Sequence, residues 1–186
     1  MLDLFRESGA LLEGHFRLSS GLHSSGYLQS ALVLQHPAHA EALGQALAAL
    51  VAPHAPTAVL SPALGGIVIG HEVARALGVR AVFAERQEGA LTLRRGFTLG
   101  PEDRLLVIED VVTTGGSTRE TIDVAKAHGA EVVVAGSIID RSGGQSSLAV
   151  PYHALVTLAL PVWQEGECPL CQQGLPAVKP GSRPRA

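Results

Sequence analysis

The residues with the clearest chemistry lie between Arg104 and Thr118, in the run RLLVIEDVVTTGGST. Two carboxylates, Glu109 and Asp110, stand side by side. Val111 and Val112 separate them from Thr113, Thr114, Gly115, Gly116, Ser117 and Thr118, a run of hydroxyls and glycines. Glycines let a backbone come close to a phosphate, and hydroxyls add donors. A helix beginning there adds unpaired N–H groups and the positive end of its dipole. Carboxylates touching the phosphate would repel it, but placed next door they accept hydrogen bonds from sugar hydroxyls. A ribose 5-phosphate satisfies both halves. A plain strand–turn–helix junction would explain Gly115-Gly116-Ser117 alone; the acid pair and the longer hydroxyl run favour the phosphate.

The elements that must position these groups follow from the pattern. Leu105–Ile108 is apolar without alternation, as in a parallel strand buried on both faces. Ser117-Thr118-Arg119-Glu120 fits a capping box, which predicts a helix opening at Ser117. Rival phosphate motifs are missing: there is no G-x-x-x-x-G-K-[ST] loop and no pair of glycines spaced G-x-G.

VIEDVVTTGGST closely resembles the phosphoribosyl-diphosphate motif of type I phosphoribosyltransferases. The resemblance implies that Glu109 and Asp110 bind ribose hydroxyls and that Val111 to Ser117 form the 5-phosphate loop. Mg²⁺ is implied as cofactor, held mainly by the substrate with no certain protein ligand. A second glycine turn, Pro62-Ala63-Leu64-Gly65-Gly66, follows the strand Thr57–Ser61 and precedes a helix expected from about Ile67 to Leu77. As a bare pattern it is an ordinary βα turn. By resemblance Ala63, Leu64 and Gly65 form the diphosphate loop, with a cis peptide between Ala63 and Leu64.

The N-terminal run F-x-L-x-S-G-x-x-S-x-x-Y, Phe16 to Tyr27, reads as two short strands around a Ser/Gly turn. It is similar to the hood of orotate phosphoribosyltransferases, which lies over the base. Such hoods often carry Lys where this chain has Ser19. Leu2, Phe5, Leu11 and Leu12 are spaced for an amphipathic first helix ended by Gly14. Pro37 to about Val51 reads as a helix with Pro at its first position; His36 and His39 at its start fit a solvated face better than a metal pair.

Arg80–Ala84 is the next strand, and from Gln87 to Gly100 regular patterning gives way to QEGALTLRRGFTLG, a long connection expected to be a flap or hairpin. By resemblance it closes over the neighbouring subunit's site. Arg86 matches a family arginine for diphosphate. The family's loop lysines and histidine are absent, which leaves Arg94 and Arg95 as the catalytic cations. Arginine stays charged and holds diphosphate but does not readily exchange a proton. After a strand over Ala130–Ile139 comes Asp140-Arg141. A surface ion pair is the plain reading. The resemblance assigns Arg141 to the orotate carboxylate, with Thr113 and Tyr27 also at the base. A last strand is expected over Tyr152–Leu160.

The whole chain, 186 residues, fits one domain: an α/β fold with a mainly parallel sheet flanked by helices, a small hood over about residues 1–35, and a Cys/Pro/Gly-rich tail over about 164–186. The net charge of −3 implies no nucleic-acid partner. Twelve Arg against two Lys, with no Asn, fits heat adaptation or a GC-rich genome equally. Ala42–Gly70 lacks Asp, Glu, Lys and Arg but is broken by Pro53, Pro56 and Pro62, so no membrane span is expected. Asp3, Arg6 and Glu7 argue against a signal peptide, and two cysteines suit a reducing cytoplasm. Cys168-Pro169-Leu170-Cys171 reads as two structural thiols or a loose knuckle, or half of a zinc site shared across a dimer. The L-R-R-G-F loop and the C-P-L-C…K-P-G-S-R ending resemble a thermophile-type subgroup of orotate phosphoribosyltransferases. The implied reaction joins orotate to phosphoribosyl diphosphate in a homodimer with shared sites. A purine phosphoribosyltransferase and a non-catalytic phosphoribosyl-diphosphate-binding regulator are the alternatives.

Overall fold

The computed structural model describes residues 2–18 and 20–179; the Ser19 position and most of the K-P-G-S-R ending lie outside them. The chain runs α1 (Leu2–Glu7), β1 (Leu11–Arg17), β2 (His23–Leu28), α2 (Ser30–Leu34), α3 (Pro37–Val51), β3 (Ala58–Pro62), α4 (Gly65–Leu77), β4 (Arg80–Gln87) and β5 (Ala90–Leu93). It continues β6 (Arg104–Val112), α5 (Gly116–Ala127), β7 (Glu131–Asp140), β8 (Tyr152–Thr157), β9 (Val162–Trp163) and α6 (Pro169–Gln172).

Six strands form the central sheet in the order β5-β4-β3-β6-β7-β8. All pairings are parallel except β4 with β5. β3 is buried along its whole length, and Leu105 to Ile108 of β6 are fully buried. Successive residues serve opposite faces. Leu106 and Ile108 join Val59, Leu43, Leu47, Ile69 and Val73 in the core under α3 and α4. Leu105 joins Ala58, Leu60, Val124 and Ala125 in the core under α5. Each such side chain contributes about 1.5–3 kcal/mol by leaving water. This two-sided burial fixes the register, Leu60 beside Val107 and Glu109 beside Ser137. It also brings the carboxyl ends of β3 and β6 together, so the two loops expected to hold phosphates are neighbours.

A second sheet, β1-β2-β9, forms the hood. Here the expected first helix is corrected. It ends at Glu7, where Gly9 takes φ 66° and the Ala10 N–H returns to the Phe5 carbonyl at 2.7 Å. Leu11 and Leu12 therefore begin a strand, Leu12 opposite Tyr27. The hood is not built from the N-terminus alone. β9 pairs with β2, and Val178 bridges to Phe16, so the tail is part of the hood. Consequently the strand expected over Tyr152–Leu160 stops at Thr157, and the chain leaves one sheet for the other.

A candidate phosphoribosyl and base site

The loop after β6 leads into α5, whose N-cap is Gly115 at φ 76°, and no side chain caps the helix. The capping box expected from Ser117 and Glu120 does not form. Gly115 supplies the left-handed turn, and Glu120 is drawn off to Arg86 at 2.5 Å. A Cβ on residue 115 would stand 2.8 Å from Leu148 Cδ2, so both conformation and space require glycine. The first N–H groups of α5 are thus left to a ligand. They border a small cavity of about 200 Å³ lined by Glu109 and Val111 to Thr118, with Thr113, Thr114, Gly116 and Ser117 exposed.

The two acids diverge, as neighbours on a strand must. Glu109 is buried beside this cavity. Burial first, and then the adjacent Asp110, push its carboxyl up to about 9. Asp110 points the other way. It accepts a hydrogen bond from the Ser30 hydroxyl and lies against Gly65, where a Cβ would meet its carboxylate at 2.7 Å. A cavity of about 330 Å³ opens there, lined by Ser30, Leu64, Gly65, Val68 and Asp110 among others. The peptide Ala63–Leu64 is cis, and Leu64 is 84% exposed. Ser30 is a site residue that sequence reading missed. It belongs to α2, a five-residue helix with no periodic signal long enough to read.

A third cavity, about 400 Å³, gathers Tyr27, Thr113, Thr114 and Arg141 with hood residues Leu18, Ser20 and Leu22 and the apolar Leu160 and Val162. Tyr27, Thr113 and Arg141 are the residues that the resemblance put at the base. Arg141 is not paired with Asp140. That carboxylate bonds instead to the backbone N–H groups of Ser142 at 2.7 Å and Gly144 at 3.2 Å. Arg141 Nε is buried without a hydrogen-bond partner among the described residues, and burial lowers the guanidinium's affinity for its proton. A half-buried guanidinium that lines an open cavity and makes no ion pair among the described residues is a receptor for an anion.

The connection after β4 is a hairpin, with Ala84 opposite Leu93 and Gln87 opposite Ala90. It therefore carries more regular pattern than the sequence suggests. Arg86 sits near its tip, bonded to the Gly89 carbonyl and Glu120. The return strand leads along the sheet edge to Arg94 and Arg95, which line none of the three cavities. Both are exposed, and Arg95 pairs with Glu85 at 2.7 and 2.8 Å. The His36 and His39 rings lie with centroids 5.1 Å apart, tilted at 60°, and gather no third metal-ligating group among the described residues. Cys168 and Cys171 do gather partners, His15 and His23. Among the described residues no helix is long and apolar enough to cross a membrane.

The chain matches the family model described as phosphoribosyl transferase domain over residues 31–166, the class that the parallel sheet and the acid-then-hydroxyl loop define. An orotate phosphoribosyltransferase of Heliobacterium modesticaldum is 54% identical over 98% of this chain and 97% of its own length. One from Thermotoga maritima is 49% identical, covering 97% of each chain. The crystal structure of orotate phosphoribosyltransferase from Aeropyrum pernix superposes with a TM-score of 0.71 at 27% identity, over 85% of this chain and 94% of that one. The chain belongs to the phosphoribosyl transferase family, on the branch of the orotate phosphoribosyltransferases.

Proposed function

We propose that this chain transfers the phosphoribosyl group of 5-phosphoribosyl 1-diphosphate to orotate, giving orotidine 5′-phosphate and diphosphate in pyrimidine synthesis. The observation that carries the base specificity is Arg141, half-buried with its Nε unpartnered among the described residues, in the lining of the cavity shared with Tyr27 and Thr113. A planar carboxylate is the partner a guanidinium fork fits best. Purines carry no such group, which weighs against the purine alternative.

In this reading the N–H groups and hydroxyls of Thr113 to Ser117 hold the 5-phosphate. Glu109 and Asp110 accept from the ribose hydroxyls, and Ala63, Leu64, Gly65 and Arg86 face the diphosphate. As the bond from ribose to diphosphate breaks, charge builds on the sugar ring as an oxocarbenium ion. The Asp110 carboxylate is fixed in advance to stabilise that charge and the donors around the phosphates to hold their oxygens, so neither reorganises, while Glu109, kept protonated by its burial, meets the ribose as a neutral hydrogen-bonding group. Mg²⁺ suits the donor set: the two phosphate-side cavities offer carboxylate and hydroxyl oxygens and no thiolate or imidazole. Two acids are too few to hold it alone, so the substrate would carry it, with Glu109 and Asp110 behind. When bound it would neutralise charge on the leaving diphosphate. We further propose a cytoplasmic homodimer, 1–186 acting as one unit, in which Arg94 and Arg95 of each subunit serve the other's site.

The test is incubation with phosphoribosyl diphosphate, Mg²⁺ and orotate, adenine or hypoxanthine in turn. Nucleotide should form with orotate alone. Formation with a purine would replace this reading, and binding of phosphoribosyl diphosphate without turnover of any base would make the chain a regulator.

A further inference from the structure

The hood and the tail meet at four side chains that the phosphoribosyl chemistry does not use. His15 comes from β1, His23 from β2, Cys168 from the residue before α6, and Cys171 from within it. One ligand-capable atom from each lies within 4.8 Å of all the others. His15 is 7% exposed, His23 3% and Cys168 0%. We infer that His15, His23, Cys168 and Cys171 form a tetrahedral site for a divalent cation of the zinc class, which fastens the hood to the C-terminal tail.

The distances fit an ion. Bond lengths of about 2.05 Å to nitrogen and 2.3 Å to sulfur give tetrahedron edges of about 3.3 Å between nitrogens and about 3.5 Å from nitrogen to sulfur. Four of the six edges are 2.8 Å from His15 Nε2 to His23 Nδ1, 3.4 Å from Cys168 Sγ to His15 Nε2, 3.7 Å from Cys171 Sγ to His15 Nε2, and 3.2 Å from Cys171 Sγ to His23 Nδ1, and the other two lie within 4.8 Å.

Hydrogen bonding alone does not account for the cluster. His15 Nδ1 lies 2.7 Å from the Leu175 carbonyl, which can only accept, so Nδ1 carries the ring proton and Nε2 presents a lone pair. Three groups converge on that one lone pair, which can accept only one good hydrogen bond. A cation at the centre uses all four atoms as donors of electron pairs. The Leu175 carbonyl then acts as the outer partner that orients a metal-binding imidazole. His23 has no such partner: its Nε2 is buried and unpaired among the described residues, so His15 is the better oriented of the two.

Charge balance favours the same occupant. On binding, both thiols lose their protons to solvent, and two thiolates cancel the charge of a divalent ion between two neutral imidazoles. The buried site is then neutral overall, which avoids the penalty of an isolated buried charge. Two sulfurs and two nitrogens in a tetrahedron select zinc over magnesium or calcium. All four ligands come from one chain, so no second subunit is needed to complete the site.

The hood needs such a fastening. It is three short strands, one only two residues long, held to the tail by backbone bonds such as Val178 N–H to the His15 carbonyl at 2.8 Å. A sheet of that size has little core, and small units of this kind rely on metals or other cross-links. The turn between the two histidines carries Leu18, Ser20 and Leu22 into the Arg141 cavity. The ion would thus hold the cavity's roof from behind.

The test uses tag-free, full-length protein purified without chelator from zinc-supplemented medium, with metal content measured by mass spectrometry. About one zinc per chain is expected. Replacing it with Co²⁺ should give the intense visible bands of a tetrahedral site and a thiolate-to-cobalt charge-transfer band in the near ultraviolet. Cys168→Ser/Cys171→Ser and His15→Ala/His23→Ala variants should lose the metal, while Cys171→His should keep it. Chelator should lower the wild-type melting temperature, and added zinc should restore it. Because the wild type is measured first, a variant that fails to fold does not decide the matter. A metal-free wild type that gives no cobalt bands, whether its thiols are reduced or joined as a disulfide, overturns the inference. So does zinc that folded variants retain undiminished.

Discussion

Arg141 and Glu109 are both ionisable groups in the wrong solvent, and each makes a measurable prediction. Removing Arg141 takes away a charge-assisted contact worth about 1.5–3 kcal/mol. Arg141→Ala should therefore raise the KM for orotate about tenfold to a hundredfold and leave phosphoribosyl-diphosphate binding nearly unchanged. Separate titration of each ligand checks this, and equal losses would mean the residue is structural. Glu109 holds its proton up to about 9, against 4.5 when exposed, because of burial and the adjacent Asp110. The folded state thus binds this proton more tightly than the unfolded chain. Its contribution to stability is full below pH 4.5 and is lost as pH rises toward 9. Glu109→Gln, which cannot ionise, should remove that decline, so urea midpoints of the two proteins should separate progressively between pH 5 and 9, with the variant the more stable. Parallel curves would show that Glu109 ionises freely. Asp110, bonded to Ser30 and packed on Gly65, should matter through its charge. Asp110→Asn should lower turnover roughly a hundredfold, the scale for one preorganised electrostatic contact; a folded variant with unchanged kinetics would remove Asp110 from the site.

At the scale of elements, the two glycine loops are neighbours because β3 pairs with β6, and Gly65 at the start of α4 packs on Asp110 of β6. A Cβ there would meet the Asp110 carboxylate at 2.7 Å. Gly65→Ala should therefore reduce turnover by displacing Asp110 and Leu64 while barely moving the melting temperature, and unchanged kinetics would show that the contact is idle. These loops were legible in the sequence because Leu105–Ile108 and the acids behind it can only be a buried strand ending at a polar turn. The first helix was less legible: Leu11 and Leu12 fit a helical stripe as well as a strand, and only the turn at Gly9 decides between them. The capping box failed for a local reason: the helix opens at Gly116 with Gly115 as its N-cap, which leaves Ser117 inside the first turn and Glu120 free to pair with Arg86. His15 and His23 were invisible as ligands because their partners lie about 150 residues away, brought there by β9 and the tail crossing back to the hood.

For the whole molecule, the role proposed for Arg94 and Arg95 at the diphosphate requires a second subunit. Within one chain they follow the edge strand and line none of these cavities, and Arg95 is engaged by Glu85. In that pair Arg95 is exposed and Glu85 mostly buried, so water screens the contact from the arginine's side. Near Asp110, meanwhile, Leu64 and Val68 present apolar surface around an open cavity. A two-fold dimer would let the hairpin of each subunit cover the other's cavity, with the same patch used on both sides. Complementation tests this. Arg94→Ala/Arg95→Ala protein is mixed with Asp110→Asn protein, and subunits are allowed to exchange. With equal mixing, half the dimers are mixed, and one of the two sites in each is intact. Activity should therefore rise from near zero to about a quarter of wild type. If each hairpin serves its own subunit, every site in the mixture stays broken and nothing returns. If the arginine variant is already fully active by itself, neither arginine acts on the diphosphate, and the hairpin is only the edge of the sheet.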